Sequence, residues 1–485
     1  MTTDNQDYSP RQIDWQQWHQ KYLDLPPGLI EETYYFRHLG KHNWSRYLFP
    51  PSTFVPYGQK LLRELRFDNS EAALRLWGFT LSEWERIYRA RQNGMKVIAL
   101  MGDIGALAPL VYSFPGTVAF YPDCLWWTPF MMQSWELFDE AQSAGLGEDC
   151  CFVRAALGGF RREVWFPRPD LVIATTGATC DDLAAVIAGI ENLGHNIHYF
   201  ELPRRSNIAD RYQTGSDEDL IEFLAGEFQK TAESLATVTG TEFDEKRLRN
   251  SIVKSNRLRD TLDRLRVMNA SSVLPPIGAL EMIFADFSAL SSYGDPDEAI
   301  RVIEELYNEV ASRTSFGMGY PNRDVRLVWA TPPADPSLLC QVEAMGCRIV
   351  GSEYLINQSR PLLETGSDPF TALAKGLLNG SLMGSSNYRA DLIIREVENN
   401  FADGVVISGI YGSSHCPWET GLIVKALRSR NIPVVSIDVS PPGRKREQAQ
   451  SLNRLKAFCE MLSAKKSAKA TRSFERVPHA EESAL

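Results

Sequence analysis

The sequence predicts an α/β protein: two parallel-sheet units flank a helical middle segment, with a helical extension at the N-terminus. Three observations predict it. Short β-branched runs that end in Gly alternate with helical stretches over residues 93–215, and the same alternation returns over 321–464. Between them, 216–320 reads almost entirely as helix. Ahead of these units, residues 1–92 read as helices and loops rich in Trp, Tyr and Phe.

In chain order, the extension is clearest over SEAALRLWGFTLSEWERIYRARQNG, a single helix that Ser70 can cap. In the first α/β unit the strand candidates are KVIALMG (Lys96–Gly102), GTVAFYP (Gly116–Pro122), DLVIATTG (Asp170–Gly177) and HNIHYFELP. MMQSWELFDEAQSAG and DDLAAVIAGIENLG are the helices among them. The middle segment carries two long amphipathic stretches, DEDLIEFLAGEFQKTAESLATVTG and DEKRLRNSIVKSNRLRDTLDRLRVMN, before VLPPIGALEMIFADF interrupts and restarts the run. In the second unit VRLVWATPP, CRIVGSEYL, DGVVISG and IPVVSIDVS are strands. SLLCQVEAMG, SNYRADLIIREVENNFA, WETGLIVKALRSRN and REQAQSLNRLKAFCEML are its helices. No close internal repeat accompanies this, so the duplication is one of architecture. The polar tail, 465–485, is expected to be disordered.

The 485 residues and 44% hydrophobic content suffice for a large core. With 51 basic against 61 acidic residues the net charge is −10, which argues against a nucleic-acid partner. No apolar run approaches the roughly 18 residues of a membrane helix. The start, MTTDNQDYSPRQIDW, lacks the apolar region of a secretory signal. A soluble cytoplasmic protein without a membrane partner is therefore expected. In that reducing compartment its eight cysteines are buried thiols or metal ligands rather than a disulfide framework.

Several sites are missing from the sequence. It has no P-loop, so ATP hydrolysis by this chain is not expected, and no GxGxxG, HExxH or CxxC. Gly102–Gly105 and Gly409–Gly412 read as tight turns after strands. The cysteines are more informative. Cys180 follows the strand DLVIATT and precedes DDLAAVIAG; Cys416 follows DGVVISG and precedes PWETGLIVKALRSR; Cys150 lies at the start of a short helix in GLGEDCCFVRAALGG. All three are thus expected at helix N-termini, two of them at the carboxyl ends of parallel strands, the rim where α/β folds hold ligands. Helix N-termini favour thiolate, the form that binds metal. The competing reading is that cysteines are small buried hydrophobes, and Cys340, Cys347 and Cys459 are read that way.

Longer segments carry a resemblance. DGVVISGIYGSSHCPWETGLIVKALRSRNIPVVSIDVSPPGRKREQAQSLNRLKAFCEML resembles the C-terminal block of the 2-hydroxyacyl-CoA dehydratase and benzoyl-CoA reductase family: Asp403-Gly404-Val405, Cys416 with Pro417-Trp418, Ile432-Pro433, then Arg454 and Glu460. DCCFVRAALGG resembles the family's first ligand segment, with Cys150 four residues before Arg154, and DLVIATTGATCDD the second, giving Cys180. FDEKRLRNSIVKSNRLRDTL resembles its helical middle, and the likeness spans roughly Lys96 to Leu462. Tyr121-Pro122-Asp123 stands where the family has a glutamate, and MGDIG lacks the family's serine.

The resemblance implies two flavodoxin-like domains and a [4Fe–4S] cluster on Cys150, Cys180 and Cys416, with one iron left without a cysteine. It implies a dehydratase that uses a low-potential electron to eliminate water from an acyl-CoA through a ketyl radical, or a reductase of the benzoyl-CoA type. It also implies a homologous second subunit and a separate ATP-dependent activator. Asp123 is then the proton-transfer or positioning group, the competing reading being that it caps a turn beside Pro122; Trp126, Trp127, Trp135 and Phe130 are read as a dry pocket wall or as core packing, and His415 as a neighbour of the ligand or a solvent-exposed residue rather than a ligand. Two further readings differ in class: an electron-relay partner whose complete cluster takes Cys124 or Cys151 as fourth ligand, and a cluster-free α/β ligand-binding protein.

Overall fold

The structure, a computed structural model, describes residues 10–24, 61–102, 105–127, 135–148, 150–163, 165–204, 217–332, 335–354, 357, 359–413, 416–440 and 445–474. In chain order the elements begin with β1 (Gln12–Ile13), α1 (Trp15–Leu23), β2 (Phe67–Asp68), α2 (Glu71–Leu81) and α3 (Glu83–Gln92). The first α/β unit follows: β3 (Lys96–Met101), α4 (Leu107–Tyr112), β4 (Thr117–Phe120), a 3₁₀ turn (Pro122–Trp127), α5 (Trp135–Ser143), α6 (Arg154–Arg162), β5 (Leu171–Gly177), α7 (Asp181–Asn192) and β6 (Ile197–Leu202). The helical middle comprises α8 (Asp217–Thr239), α9 (Glu245–Ser271), α10 (Ala279–Ser291) and α11 (Pro296–Ser315). The second unit contains β7 (Val325–Ala330), α12 (Pro336–Ala344), β8 (Cys347–Glu353), α13 (Pro369–Leu378), α14 (Ser386–Asn399), β9 (Gly404–Ile410), α15 (Cys416–Ser429), β10 (Val434–Val439) and α16 (Lys445–Phe474).

The expected strand runs form two parallel four-stranded sheets, ordered β4-β3-β5-β6 and β10-β9-β7-β8. Counted within each unit, both orders read 2-1-3-4, the opening of the flavodoxin-like sheet. The two halves therefore share a topology without sharing a sequence repeat. Val97, Ile98 and Ala99 of β3 and Val405, Val406 and Ile407 of β9 are wholly buried. Central strands covered by helices on both faces read as continuous apolar runs rather than alternating ones, which is why these segments stand out in the sequence.

Two readings of helix change. The stretch from Ser70 to Gly94 is two helices. Ser70 caps the first, its Oγ accepting the Ala73 N–H at 3.2 Å, but the chain breaks at Ser82. The break frees the Phe79 carbonyl, which the buried Arg86 guanidinium takes at 2.6 Å while also reaching the Tyr293 carbonyl at 2.8 Å. The final helix continues through the segment read as a disordered tail as far as Phe474.

The aromatic residues of the extension are core. Trp18 stacks on Phe67 at 4.6 Å, and Trp77 meets Phe284 of α10 at 4.3 Å between centroids. Arg313 of α11 holds Asp68 through Nη2 at 2.9 Å. The extension is thus cemented onto the helical middle, in a single apolar core that also includes Val97 of β3 and Leu327 of β7. Among the described residues no helix is long and apolar enough to cross a membrane.

Candidate functional site at the facing strand rims

The carboxyl ends of the two sheets face each other. Gly105, just past β3, lies so close to the loop after β8 that a Cβ there would sit 2.4 Å from Ser359 Cα. Arg259 of α9 ties the two loops, donating from Nη2 to the Gly105 carbonyl at 2.6 Å and from Nη1 to the Pro361 carbonyl at 2.7 Å. A second tie runs from Arg204, past β6, to Glu419 in the first turn of α15 at 3.6 Å. Between the rims lies a cavity of about 340 Å³ bordered by Thr179, Arg204, Leu382 and Glu419.

Each ligand candidate can be placed against this gap. Cys180 is the N-cap of α7, and its Sγ accepts the Leu183 N–H at 3.3 Å. A short polar side chain does this at most helix starts; here a sulfur takes the place and gains the partial positive charge of the helix end. Cys150 is buried but does not begin a helix: α6 starts at Arg154. Tight turns lie on both sides of it, Cys150 N–H to Gly147 O at 3.2 Å before and Arg154 N–H to Cys151 O at 3.1 Å after, ahead of the wider helical ring. Arg154, itself buried, donates to the Cys150 carbonyl, so the four-residue spacing fixes the turn that carries the thiol. The Cys151 N–H donates to Asp182 Oδ2 at 3.2 Å, which locks this turn onto the start of α7 beside Cys180.

Cys416 opens α15 at the rim of the second sheet. Its side chain lies outside the described residues, as do His415, Phe130 and the side chains of Trp126, Trp127 and Trp135. Among the described residues no three metal-ligating side chains converge. What the structure assembles is two thiol-bearing loops locked together and a third thiol residue at the start of the facing helix. Cys340, Cys347 and Cys459 are buried in the apolar core, as the sequence suggested.

Asp123 sits in the 3₁₀ turn after β4 and is 8% exposed. Its Oδ2 accepts the Gly102 N–H at 3.0 Å, whereas Oδ1 is buried without a hydrogen-bond partner. Burial pushes the carboxyl up to about 7, against the Gly102 N–H, which favours the charged form. Gly102 must be glycine: its φ is +102°, and a Cβ would fall 1.6 Å from Thr175 Oγ1. Thr175, at the end of β5, donates to the Gly102 carbonyl at 3.4 Å. Asp123, Gly102 and Thr175 thus form a strip along the rim β4-β3-β5 that leads toward Cys180.

Sequence reasoning missed the group that holds α15. Arg389 of α14 donates from Nε and Nη2 to the two oxygens of Glu353 at 2.9 and 2.8 Å, and from Nη1 to Glu419 Oε2 at 2.7 Å. All three side chains are buried. The link runs from the end of β8 to a residue one helical turn beyond Cys416, and onward to Arg204 of the first unit.

Comparison with known proteins adds a family. The profile described as 2-hydroxyglutaryl-CoA dehydratase, D-component, matches residues 127–462. This span takes in Cys150, Cys180 and Cys416 and begins just after Asp123. No curated protein matches the sequence significantly. Among solved structures, the periplasmic zinc-binding protein TroA of Treponema pallidum is 9% identical over 76% of this chain and 99% of its own, with a TM-score of 0.20. A putative sugar-binding protein of Salmonella typhimurium is 10% identical over 81% of this chain and 97% of its own, with a TM-score of 0.14. Likeness this slight bears on neither fold nor function.

Proposed function

Because the chain belongs to the 2-hydroxyglutaryl-CoA dehydratase D-component family, we propose that it is the iron–sulfur subunit of an enzyme that eliminates water from a 2-hydroxyacyl-CoA through a ketyl radical of the thioester. The observation that carries this reading is the gap between the facing rims, bordered by Thr179 next to Cys180 on one side and by Glu419, a turn after Cys416, on the other. Cys150, Cys180 and Cys416 would hold a [4Fe–4S] cluster. Their donor set is soft sulfur, which suits iron, and the Cys180 Sγ already accepts a backbone N–H. The bound cluster would supply the low-potential electron that makes loss of the substrate hydroxyl feasible.

The chain's own residues do the rest. Asp123 holds a proton at Oδ1, the oxygen that the Gly102 N–H leaves unengaged. A carboxyl raised to about 7 is near the working pH and can pass that proton in either direction. Gly102 and Thr175 keep the carboxyl in place, and Arg259 and Arg204 hold the two rims together so that water can be excluded from the gap. The exposed face of α15 supports a partner subunit: Trp418 and Leu422, one turn apart, are 78% and 57% exposed, and Tyr411, just past β9, is 76% exposed. The absence of a P-loop supports a separate ATP-dependent activator as electron source.

The test is anaerobic turnover. The chain with its partner subunit and activator is given a 2-hydroxyacyl-CoA and a reductant. The corresponding 2-enoyl-CoA is expected only when both ATP and reductant are present. Elimination without a reductant, or none from iron-loaded, reduced protein, would overturn the proposal.

A further inference from the structure

A group of buried acids lies where the N-terminal extension meets the helical middle, and one of them lacks a cation. Asp68 of β2, Glu281 of α10 and Glu343 of α12 are 1%, 0% and 4% exposed. Two guanidiniums serve them. Arg313 of α11 holds Asp68 through Nη1 and Nη2 at 2.5 and 2.9 Å, and Arg323, ahead of β7, holds Glu343 Oε1 at 2.9 Å. Glu281 receives neutral donors: its Oε1 accepts the Asp68 N–H at 2.9 Å and the Trp77 Nε1–H at 3.2 Å. Its Oε2 is buried without a hydrogen-bond partner.

Three carboxyls served by two guanidiniums leave one charge uncompensated. A buried acid in that position neutralises itself, and the proton goes to the one that no guanidinium touches. Burial raises Glu281 to about 8, and the Asp68 charge adds to the rise. Burial acts on Asp68 in the same direction, but Arg313 and the Tyr320 hydroxyl hold it low. Glu343 is raised by burial, against Arg323, the Ala279 N–H and Gln12. The remaining neighbours do not supply Glu281 with a cation. Glu309 shares Arg313, at 2.8 Å from its Nε. Lys21 of α1 lies near Asp68 and Glu309 and also near Arg11 and Arg313, and Cys340 of α12 is a thiol raised by burial.

The cover over Glu281 is thinnest at β1. A Cβ at Gly278 would lie 2.8 Å from Glu281 Oε2, 3.2 Å from Gln12 Nε2 and 3.6 Å from Glu343 Oε2. Gln12 is the half-exposed member of this group; it belongs to β1 and donates to Glu343 Oε2 at 2.8 Å. β1 pairs with β2 only through Gln12 opposite Asp68 and Ile13 opposite Phe67. The Asp68–Arg313 bonds keep β2 in place when β1 leaves, and an ionised Glu281 gains water most directly by the removal of Gln12. We propose that β1 and the α1 helix that follows it form a pH-released clasp, docked while Glu281 carries a proton and opening as Glu281 ionises. The proposal does not depend on the cluster or on the reaction at the rims.

Hydrogen exchange of the full chain tests it, read by mass spectrometry from about pH 5 to about pH 9 and corrected for the intrinsic pH dependence of exchange. In the open state Glu281 returns to its ordinary value near 4.5. The opening constant of residues 10–24 is therefore expected to rise about tenfold per pH unit up to about 8 and to level off above it. Glu281→Gln, neutral throughout, should remove the rise; Glu281→Met is a second neutral variant should the amide fail to fold. Glu83→Gln, which neutralises a different buried acid, should keep it. The amides of β3 should stay protected across the range, which separates opening of the clasp from global unfolding. A wild-type opening constant independent of pH would overturn the proposal. So would an equal rise in the Glu281 variants, loss of the rise in Glu83→Gln, or exchange in β3 that climbs in step with that of residues 10–24.

Discussion

Arg389 offers the sharpest perturbation of the frame that holds Cys416. Its guanidinium engages Glu353 through two hydrogen bonds and Glu419 through a third, at 2.9, 2.8 and 2.7 Å. The Arg389 side chain is 2% exposed, and those of Glu353 and Glu419 are 4% and 10% exposed. Replacing it by Met keeps much of the apolar bulk and leaves two buried carboxylates without this cation. Removing one partner of a buried ion pair costs about 3–5 kcal/mol, mostly through the charge left behind. We expect Arg389→Met to lose that much in urea unfolding. The triple variant that adds Glu353→Gln and Glu419→Gln should recover most of it, because neutral amides can be buried more cheaply. The functional readout is separate: hydrogen exchange should rise in the first turn of α15, and iron uptake should fall in the single variant before global unfolding begins. A single variant within about 1 kcal/mol of wild type, or a triple variant as unstable as the single, would refute the claim that this network anchors the helix.

Further outcomes follow from the same geometry. Asp123→Asn should keep the cluster and lower turnover by roughly a hundredfold or more, the usual size of a lost acid–base contribution; iron lost along with activity would make Asp123 structural. Gly102→Ala forces a Cβ to within 1.6 Å of Thr175 Oγ1 and should destabilise the rim by about 3 kcal/mol or more, measured by urea unfolding; the added Thr175→Ser change, which keeps the clashing oxygen, should not rescue it. The pH dependence of stability follows from Glu281 and Glu83, which burial raises to about 8 and about 7 from 4.5. Glu281 Oε1 accepts the Asp68 backbone N–H at 2.9 Å and the Trp77 Nε1–H at 3.2 Å, and the nearby Asp68 charge adds to the effect of burial. Between the unfolded and folded values the native state holds more protons than the unfolded chain, so stability falls as pH rises from about 4.5 to 8. Glu281→Gln, neutral throughout, should flatten that fall in melts run across this range, and an unchanged slope would contradict the assignment.

Much of this architecture is legible in the sequence, and the reasons are physical. The inner strands β3, β5, β7 and β9 are largely buried and read as near-continuous apolar runs, whereas the edge strands β6 and β10 are half-exposed and carry polar residues, and their ends are marked by turn signals that need no tertiary information. The long helices of the middle declare themselves by their period, and Asp244 caps α9, accepting from Lys246 and Arg247. The break at Ser82 is not legible, because the group that stabilises it is Arg86 reaching a carbonyl on Tyr293, far along the chain. Helix α13 was missed although Asp368-Pro369 is a readable start signal, with Asp368 accepting the Thr371 N–H. At the site, the positions of Cys180 and Cys416 follow from strand, loop and helix order alone. Cys150 illustrates the limit of that logic: spacing gave its partner Arg154, while the turns that delay α6 depend on local hydrogen bonding. Arg389 and Glu353 are invisible for the opposite reason, since ion pairs between distant segments leave no periodic trace.

The central claim is that Cys150, Cys180 and Cys416 hold one cluster across the two facing rims. Iron and sulfide content after anaerobic reconstitution measures this directly. The account predicts about four irons per chain in the wild-type protein, a marked loss in each of Cys150→Ala, Cys180→Ala and Cys416→Ala, and no loss in Cys340→Ala or Cys459→Ala, whose thiols are buried in the core. A wild-type protein without iron after reconstitution, or a Cys416→Ala protein that keeps its full complement, would contradict it.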